Sequence, residues 1–562
     1  MTLKTFLPAF LMAAVTVSWA DAEGTLKAGG QNVLYNAVIY TVDPDQPRVT
    51  AMAWAADGRL LALGTDDELR AAFPSAPARD LEGRTVIPGL IDAHAHLYGL
   101  AQSLTQADLM GTAGKAEILE KLREQEAGLG PGDWLLGRGW DQNDWLEKQL
   151  PTRDDLDRAF PERPVWLRRI DGHAGWANSA ALERVERDLS GDWQPDAGFI
   201  HRDADGIASG VLIDRAMELV QSKVPEPSRP VMARAVSEAI AVMTRHGLTG
   251  VHDAGVSRDT LALYLELIER NEFDTRAYVM VSGAGEHLEW LCARGPVHEP
   301  TGKLVARSVK LFEDGALGSR GAALLADYSD DPGNRGLLFQ AAEPLREDIE
   351  RVLRCGLQVA VHAIGDHGNR AVLDALEQAL PRVPDNPGRH RIEHAQVLDE
   401  QDLARFSQLG IIAAVQPTHA TSDMYWAGAR LGPGRLQYAY AWRSLLDSGA
   451  RLALGSDFPV EKVNPMLGLH AAVTRQDADG WPEGGWQPQE RITREEALRG
   501  FTLDAAWAGF MESDVGSLSP GKYADFVVLD RDVMTVPERE MTEVQVLETW
   551  LGGKPVFVKA PH

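Results

Sequence analysis

The chain has 562 residues, with 56 Lys and Arg against 82 Asp and Glu, and a formal net charge of −26. Its composition, 44% hydrophobic and 25% charged, is typical of a globular protein large enough for more than one domain. The acidic balance disfavours nucleic acids and anionic membranes as partners. It leaves a small-molecule substrate open, because a local site can differ from the mean field.

The N-terminus has the layout of a secretory signal peptide over residues 1–22. Lys4 precedes the apolar stretch 6–19, and the small residues Ala20 and Ala22 follow it. The stretch is short for a bilayer-spanning helix. We therefore predict an exported protein, periplasmic or secreted, with no membrane span once the signal is removed; a buried N-terminal helix is the alternative. The two cysteines permit a disulfide, but nothing in the sequence indicates that they pair.

Residues 23–86 and 511–562 both resemble short-strand segments with turn signals between them. Asp57-Gly58, for example, lies between the apolar stretches 52–55 and 60–63, which indicates a β-hairpin. We predict that the two ends of the chain pair into one split β-sandwich beside a central domain.

The central segment 87–510 alternates strand-like and helix-like stretches, which predicts an α/β fold of the (β/α)8 TIM-barrel type. The pattern contains eight strand candidates: 86–94, 248–253, 276–282, 305–312, 357–362, 390–394, 411–416 and 451–456.

About 150 residues separate the first two of these strands, far more than one crossover helix requires. We assign roughly 105–225 to an insertion that caps the barrel mouth. It is rich in tryptophan: Trp134, Trp140, Trp145, Trp166, Trp176 and Trp193.

The first barrel strand ends in His94-Ala95-His96. Residues i and i+2 of a strand share a face, so both imidazoles project from its C-terminal end, which is the active-site face of a barrel. Paired neutral imidazoles suit a divalent metal. The alternative, a chance pair in a loop, is weakened by the apolar strand before it.

Four later strands end in groups of the same kind: Lys310, His362, His394 and Asp457. Each alone has an ordinary explanation, as an exposed lysine, a satisfied polar histidine or a capping aspartate. Together, at the same end of successive strands, they are hard to explain as packing.

The motifs around these residues resemble the amidohydrolase superfamily of metal-dependent hydrolases, closest to the branch with N-substituted formamide deformylases and exoenzyme regulatory protein-like proteins. The matching motifs follow the family order: Pro-Gly-Leu-Ile-Asp-Ala-His-Ala-His (88–96), Val-Lys-Leu-Phe-Glu-Asp-Gly-Ala-Leu-Gly-Ser-Arg (309–320), Val-His-Ala-Ile-Gly-Asp (361–366), Arg-Ile-Glu-His-Ala-Gln (391–396) and Gly-Ser-Asp-Phe-Pro-Val (455–460).

The resemblance implies a site for two divalent metals, usually zinc, bridged by a carboxylated Lys310. His94, His96 and Asp457 would hold the buried metal, and His362 with His394 the outer one; a mononuclear site stays open.

The implied activity is hydrolysis of a non-peptide C–N bond, in a linear amide or N-substituted formamide, by a metal-activated hydroxide with Asp457 as the proton acceptor. Hydrolysis of a cyclic amide or an ester on the same site is an alternative. A non-catalytic binding or regulatory protein with this fold is another.

Three further residues are candidates for substrate contact: His173, Arg320 and Trp140. A structural role in the cap is equally open for His173, and a salt bridge is equally open for Arg320. The Trp-rich cap suggests an apolar or aromatic substituent on a small-molecule substrate. The sequence leaves the oligomeric state open, a homodimer included.

Overall fold

The computed structural model describes residues 31–142, 145–169, 174–195 and 198–560. The predicted signal peptide and His173 lie outside these residues.

The N-terminal part forms one small sheet and half of a second. Its elements are β1 (Asn32–Tyr35), β2 (Val38–Tyr40), β3 (Arg48–Val49), β4 (Ala51–Trp54), β5 (Leu60–Gly64), α1 (Asp66–Ala72), β6 (Ala78–Asp80) and β7 (Thr85–Pro88). The predicted hairpin around Asp57-Gly58 is present as the antiparallel pair β4 and β5.

The predicted strand 86–94 is wrong as a single element. It is two strands in different sheets, β7 and β8 (Leu90–Ala95), separated by Gly89. The Gly89 N–H donates to the Asp525 carbonyl at 2.8 Å, and a Cβ at Gly89 would lie 2.2 Å from Thr249 Oγ1. The chain therefore passes from the small domain into the barrel through a gap that only glycine fits.

The segment after β8 and the helix α2 (Leu97–Leu104) builds a separate sheet. Its elements are β9 (Ala107–Asp108), α3 (Lys115–Glu126), β10 (Leu135–Trp140), α4 (Arg153–Asp157), β11 (Val165–Arg169), β12 (Ala174–Ala177), α5 (Ser179–Leu182), β13 (Gly198–Arg202), β14 (Ala208–Asp214) and α6 (Glu218–Gln221). Within the described residues the strand order is β13-β14-β12-β11-β10-β9. The insertion thus has its own core; that it caps the barrel mouth stays a prediction.

The predicted barrel is confirmed. After the helix α7 (Arg229–Arg245), the strands are β15 (Leu248–Val256), β16 (Arg276–Ser282), β17 (Val297–His298), β18 (Leu304–Phe312), β19 (Gln358–Ala363), β20 (Arg391–His394), β21 (Ile412–Val415) and β22 (Arg451–Leu454). Apart from the short antiparallel β17, they pair in parallel in the order β8-β15-β16-β18-β19-β20-β21-β22. Hydrogen bonds from Asp457 N to His94 O (2.7 Å) and from His96 N to Phe458 O (2.8 Å) join the last strand's end to the first strand.

Helices surround these strands. They are α8 (Arg258–Glu269), α9 (Glu286–Arg294), α10 (Ala342–Arg354), α11 (Asp366–Ala379), α12 (Glu400–Leu409), α13 (Pro417–Asp423), α14 (Ala427–Leu436), α15 (Trp442–Asp447), α16 (Pro465–Thr474), α17 (Arg494–Gly500) and α18 (Leu503–Ala508). A disulfide between Cys292 and Cys355 joins α9 to the end of α10.

The C-terminal part returns to the small domain as β23 (Phe526–Leu529), β24 (Val546–Leu551) and β25 (Lys554–Val558). Strand β23 pairs antiparallel with β7, with Phe526 opposite Pro88, so both ends of the chain share one sheet. In the part of the chain that the structure covers, no helix has the length and apolar character needed to cross a bilayer.

Candidate metal centre

His94, in the first barrel strand, and His96, directly after its end, both lie at the barrel mouth. His94 Nδ1 is hydrogen-bonded to the Glu393 carboxylate, and His96 Nδ1 lies 2.8 Å from the Ala254 carbonyl. Because each Nδ1 faces an oxygen acceptor, it carries the proton and leaves the Nε2 lone pair free for a ligand. Such a partner behind the ring is the usual arrangement of metal-binding histidines.

A buried ion pair supports His94 from behind. Arg391 donates from Nε to Glu393 Oε1 at 2.7 Å and from Nη2 to Oε2 at 3.0 Å. Burial opposes ionisation of Glu393, but the charge of Arg391 and the bond to His94 hold its pKa below the ordinary value. Glu393 is therefore an ionised acceptor for His94. The sequence interpretation did not assign it a role, although it lies in the motif that ends in His394.

His394 is oriented in the same way by the next strand. Its Nδ1 donates to Gln416 Oε1 at 2.8 Å, and Gln416 Nε2 donates in turn to the Ala414 carbonyl at 3.1 Å. The second bond determines which amide atom faces the ring, so His394 Nε2 is left as an acceptor. The ring of His394 lies 4.7 Å from that of His94 and 4.5 Å from that of His362.

His362 lies at the end of the fifth barrel strand with its Nε2 buried and without a hydrogen bond to any described residue. The nearest carboxylate oxygen is Asp314 Oδ1 at 3.6 Å. Asp314 already accepts backbone N–H groups of Ile364 and Gly365, at 2.9 and 2.8 Å. Burial, followed by the charge of Lys310, lowers the pKa of His362 to about 3, so the ring is neutral and able to coordinate.

Lys310 is buried beside these imidazoles. Its Nζ lies 3.4 Å from His94 Nε2, and it forms no ion pair within 4 Å in the described part of the chain. Burial lowers its pKa to about 8. An amine in such a place is costly to keep charged, and a neutral amine is a nucleophile.

Asp457 completes the group from the loop after β22. Its Oδ1 lies 3.0 Å from His96 Nε2 and 3.6 Å from His94 Nε2. Burial would raise its pKa, but the neighbouring imidazoles, His96 first, hold the pKa below the ordinary value. The ligand atoms of His94, His394 and Asp457 all lie within 4.8 Å of one another.

The position of Asp457 depends on a second residue of the first-strand motif, Asp92. The Asp92 carboxylate accepts the Ser456 N–H at 3.1 Å and the Ser456 hydroxyl at 2.6 Å. A Cβ at Gly455 would lie 2.5 Å from His94 N, so glycine is required for this close approach. Asp457 itself adopts a positive φ of 64°. The motif of the first barrel strand and the motif after the last barrel strand are therefore in direct contact.

These residues fit a divalent metal ion. Neutral imidazole nitrogens with protonated Nδ1 atoms, together with a carboxylate oxygen, are the donors that such ions take. Two of the atoms aimed at the shared space, His362 Nε2 and Asp457 Oδ1, are buried and accept no hydrogen bond from the described residues. Buried polar atoms of this kind require a partner, which a bound metal would provide.

The sequence interpretation also missed a histidine of the site. His419, on α13, has its Nε2 3.6 Å from Asp457 Oδ2, and its ring is stacked at 16° on that of His394. The polar residues after the seventh strand were not given a role in the sequence interpretation. Gln416 and His419 follow β21 directly, and this signal could have identified them.

The three substrate-contact candidates fare differently. The structure does not support substrate contact by Trp140. This residue is fully buried in the insertion, and its indole N–H donates to the Leu167 carbonyl at 3.1 Å. It therefore has no surface to offer a substrate. Arg320 forms the salt bridge that was its alternative, with Asp330 at 3.0 and 3.1 Å. His173 lies outside the described residues.

Comparison with known proteins agrees with this geometry. The sequence profile of the Amidohydrolase family matches residues 78–557. The Arabidopsis thaliana protein LONG AFTER FAR-RED 3 is 36% identical over 536 residues, covering 93% of this chain and 91% of its own. An N-substituted formamide deformylase from Arthrobacter pascens is 31% identical over 539 residues, covering 93% and 97%.

A crystal structure of a metal-dependent hydrolase from Pyrococcus furiosus superimposes with a TM-score of 0.75 at 30% identity, over 90% of this chain and all of that one. The family resemblance inferred from the motifs is thereby confirmed. This chain, with histidines, a lysine and an aspartate at successive strand ends of its barrel, belongs to the amidohydrolase family.

Proposed function

We propose that this protein hydrolyses a non-peptide C–N bond, in a linear amide or an N-substituted formamide, with the help of divalent metal. The observation that carries the proposal is the convergence of His94, His394 and Asp457 ligand atoms within 4.8 Å at the barrel mouth. The similarity to an N-substituted formamide deformylase over nearly the whole chain supports the choice of bond.

His94, His96, His362, His394 and Asp457 would hold the metal, for which we propose zinc. When bound, it supplies Lewis-acid chemistry: it lowers the pKa of water and polarises a carbonyl oxygen. Asp457 is placed to accept the proton of the attacking water and to pass it to the leaving nitrogen, because its carboxylate is ionised and lies among the metal-binding imidazoles.

We further propose that Lys310 is carboxylated. Its neutral amine would attack carbon dioxide, forming an N–C bond as one C=O π bond becomes a C–O⁻ group and the nitrogen releases a proton. The carbamate would then add anionic oxygens to the groups that hold the metal. The support is its buried position, 3.4 Å from His94 Nε2 and without an ion-pair partner among the described residues. A carbamate signal in ¹³C NMR spectra of the folded protein equilibrated with ¹³C-labelled bicarbonate, absent from Lys310→Ala, tests this; no such signal in the native protein would contradict it.

The support for an apolar or aromatic substituent on the substrate comes from Phe312 and not from the tryptophans of the insertion. Its ring lies 5.6 Å from the His362 ring and 5.1 Å from Lys310 Nζ, and the residue is 44% exposed. An apolar side chain open to solvent directly beside the metal ligands favours an apolar or aromatic substituent on the substrate.

The test is a panel of N-substituted formamides, linear amides, lactams and esters, assayed with metal-replete protein and with Asp457→Asn. We expect hydrolysis of formamides or linear amides that Asp457→Asn abolishes. Preference for lactams or esters would favour the alternative hydrolases. Bound metal with no turnover across the panel would favour the binding-protein alternative.

We also propose that the protein is exported, periplasmic or secreted. The N-terminal layout of residues 1–22 supports this, and so does the disulfide between Cys292 and Cys355, since such bonds persist in oxidising compartments. Cell fractionation with N-terminal sequencing of the mature protein is the test. Recovery of the intact N-terminus in the cytoplasm would contradict it.

A further inference from the structure

His419 lies among the metal-binding histidines but is held differently from them. It is buried, and its Nε2 makes no hydrogen bond to the described residues. That atom lies 3.6 Å from Asp457 Oδ2, beyond the length of an N–H···O hydrogen bond. His419 Nε2 is therefore a buried polar atom beside Asp457 whose hydrogen-bonding capacity the described residues do not use.

The partner of the other ring nitrogen sets His419 apart. The Nδ1 atoms of His94, His96 and His394 each face an oxygen, whereas His419 Nδ1 faces the amide nitrogen of Gln396 at 3.0 Å. An amide N–H donates, so Nδ1 accepts and the ring proton is on Nε2. The three oxygen-bonded histidines present a lone pair to the site, and His419 presents an N–H.

Gln396 is itself held in place. The residue is buried, and its main-chain carbonyl oxygen accepts the backbone N–H of Tyr440 at 2.5 Å, which fixes the backbone from which the side chain extends. His419 is further fixed by its near-parallel ring contact with His394, whose centroid is 5.9 Å away. A donor that is already oriented costs little reorganisation when charge develops beside it.

We propose that His419 is a further catalytic residue, whose Nε2–H donates a hydrogen bond to the substrate carbonyl oxygen as that oxygen becomes negative during attack. The proton stays on Nε2 throughout, so the step forms no covalent bond at this residue. The inference rests on the proposed amide hydrolysis and names the group that completes its oxyanion-binding side. An N–H of this kind cannot coordinate a metal, so His419 lies outside the ligand set.

The central experiment compares His419→Leu with His419→Gln in metal-replete protein. We expect His419→Leu to retain native metal content and a similar KM while kcat falls by about 10²–10³-fold, the usual cost of one oxyanion donor. We expect His419→Gln, whose amide can donate, to recover part of kcat.

His470→Leu is the matched control. His470 is also buried, on α16, where its Nε2 lies 3.5 Å from Thr474 Oγ1. The His470→Leu substitution removes a buried imidazole outside the site, so we expect an unchanged kcat. Thermal unfolding of all three variants checks that each is folded under assay conditions.

A second readout does not depend on turnover. In ¹⁵N-histidine NMR spectra of metal-loaded protein, the signal lost in His419→Leu should have the pattern of the Nε2–H tautomer. Loss of metal from His419→Leu, an Nδ1–H tautomer, or an unchanged kcat would each overturn this inference alone. A native protein that hydrolyses none of the panel would refute the proposed function instead.

Discussion

The barrel mouth and the insertion both carry a concentration of chemically distinctive residues, histidines in one and tryptophans in the other. In the insertion these side chains pack against one another: the Trp140 ring lies 5.9 Å from the rings of Trp145 and Trp176. The indole N–H groups of Trp140 and Trp176 are bonded, whereas Trp145 Nε1 is buried without a hydrogen bond to the residues described. At the mouth, His362 Nε2, His419 Nε2 and Asp457 Oδ1 are buried without a hydrogen bond to the residues described.

This difference separates a core from a site. Folding stability favours a region in which every polar atom has a partner. Several unpartnered atoms that lie close together at the strand ends, unlike a single one such as Trp145 Nε1 among packed rings, are positions at which ligand binding recovers the lost interactions. The predictions below test this distinction, from the largest expected effect to the smallest.

The largest effect should come from removing a ligand at the mouth. We expect His94→Ala and His394→Ala to lose nearly all bound metal and all hydrolysis, because their Nε2 atoms lie in the group of convergent donors. Elemental analysis after purification in zinc-containing buffer is the measurement. Native metal content in both variants would refute the proposed centre.

The same kind of truncation in the insertion should act on stability alone. Trp140→Ala removes a fully buried ring and should reduce the free energy of unfolding of the insertion by about 3–5 kcal/mol. Metal content per folded chain should be unchanged. Trp193→Ala is the control, because Trp193 is 37% exposed and its removal should reduce stability less. Urea unfolding monitored by tryptophan fluorescence measures the stability of both variants, and elemental analysis measures their metal content. A loss of metal with Trp140→Ala would contradict the distinction.

A smaller effect is expected from the support behind His94. Glu393→Gln keeps the shape but removes the anion that orients the ring, and should weaken metal affinity by about 10–100-fold. Chelator competition measures this. Glu490→Gln is the matched control, since this buried carboxylate accepts from Ser444 away from the site. Equal affinities in the two variants would mean that Glu393 does not tune the metal.

The smallest effect concerns Glu313, whose carboxylate oxygens are buried and make no hydrogen bond within the described chain. Burial, followed by the charge of Asp314, raises its pKa from 4.5 to about 8. Because the folded pKa is the higher one, the group's contribution to stability is complete below pH 4.5 and is lost as the pH rises through about 8.

Glu313→Gln is neutral at every pH and does not share that loss. It should therefore become more stable relative to the native protein between about pH 5 and about pH 9, by about 1–3 kcal/mol, the cost of an unsatisfied buried polar group. Urea unfolding at both pH values is the measurement. If the two proteins differed in free energy of unfolding by the same amount at both pH values, Glu313 would not titrate in this range.

Much of the barrel and its site could be predicted from local pattern. The ends of the strand at 276–282 were located to the residue, and those of the fourth, fifth and eighth strands to within two. The reason is that buried parallel strands are short apolar stretches that end in polar residues. The same geometry brings together Lys310, His362 and Asp457, because all barrel strands end at one face.

The features that only the tertiary structure decided are contacts between residues far apart in the chain. His94 is oriented by Glu393, 299 residues away, and Cys292 pairs with Cys355 across two helices. Gly89 divides one apolar stretch between two sheets because Thr249 is packed against it. The proton on His419 depends on which atom of Gln396 faces it. A sequence pattern records the type and spacing of residues along the chain, whereas these features depend on contacts made only once the chain is folded.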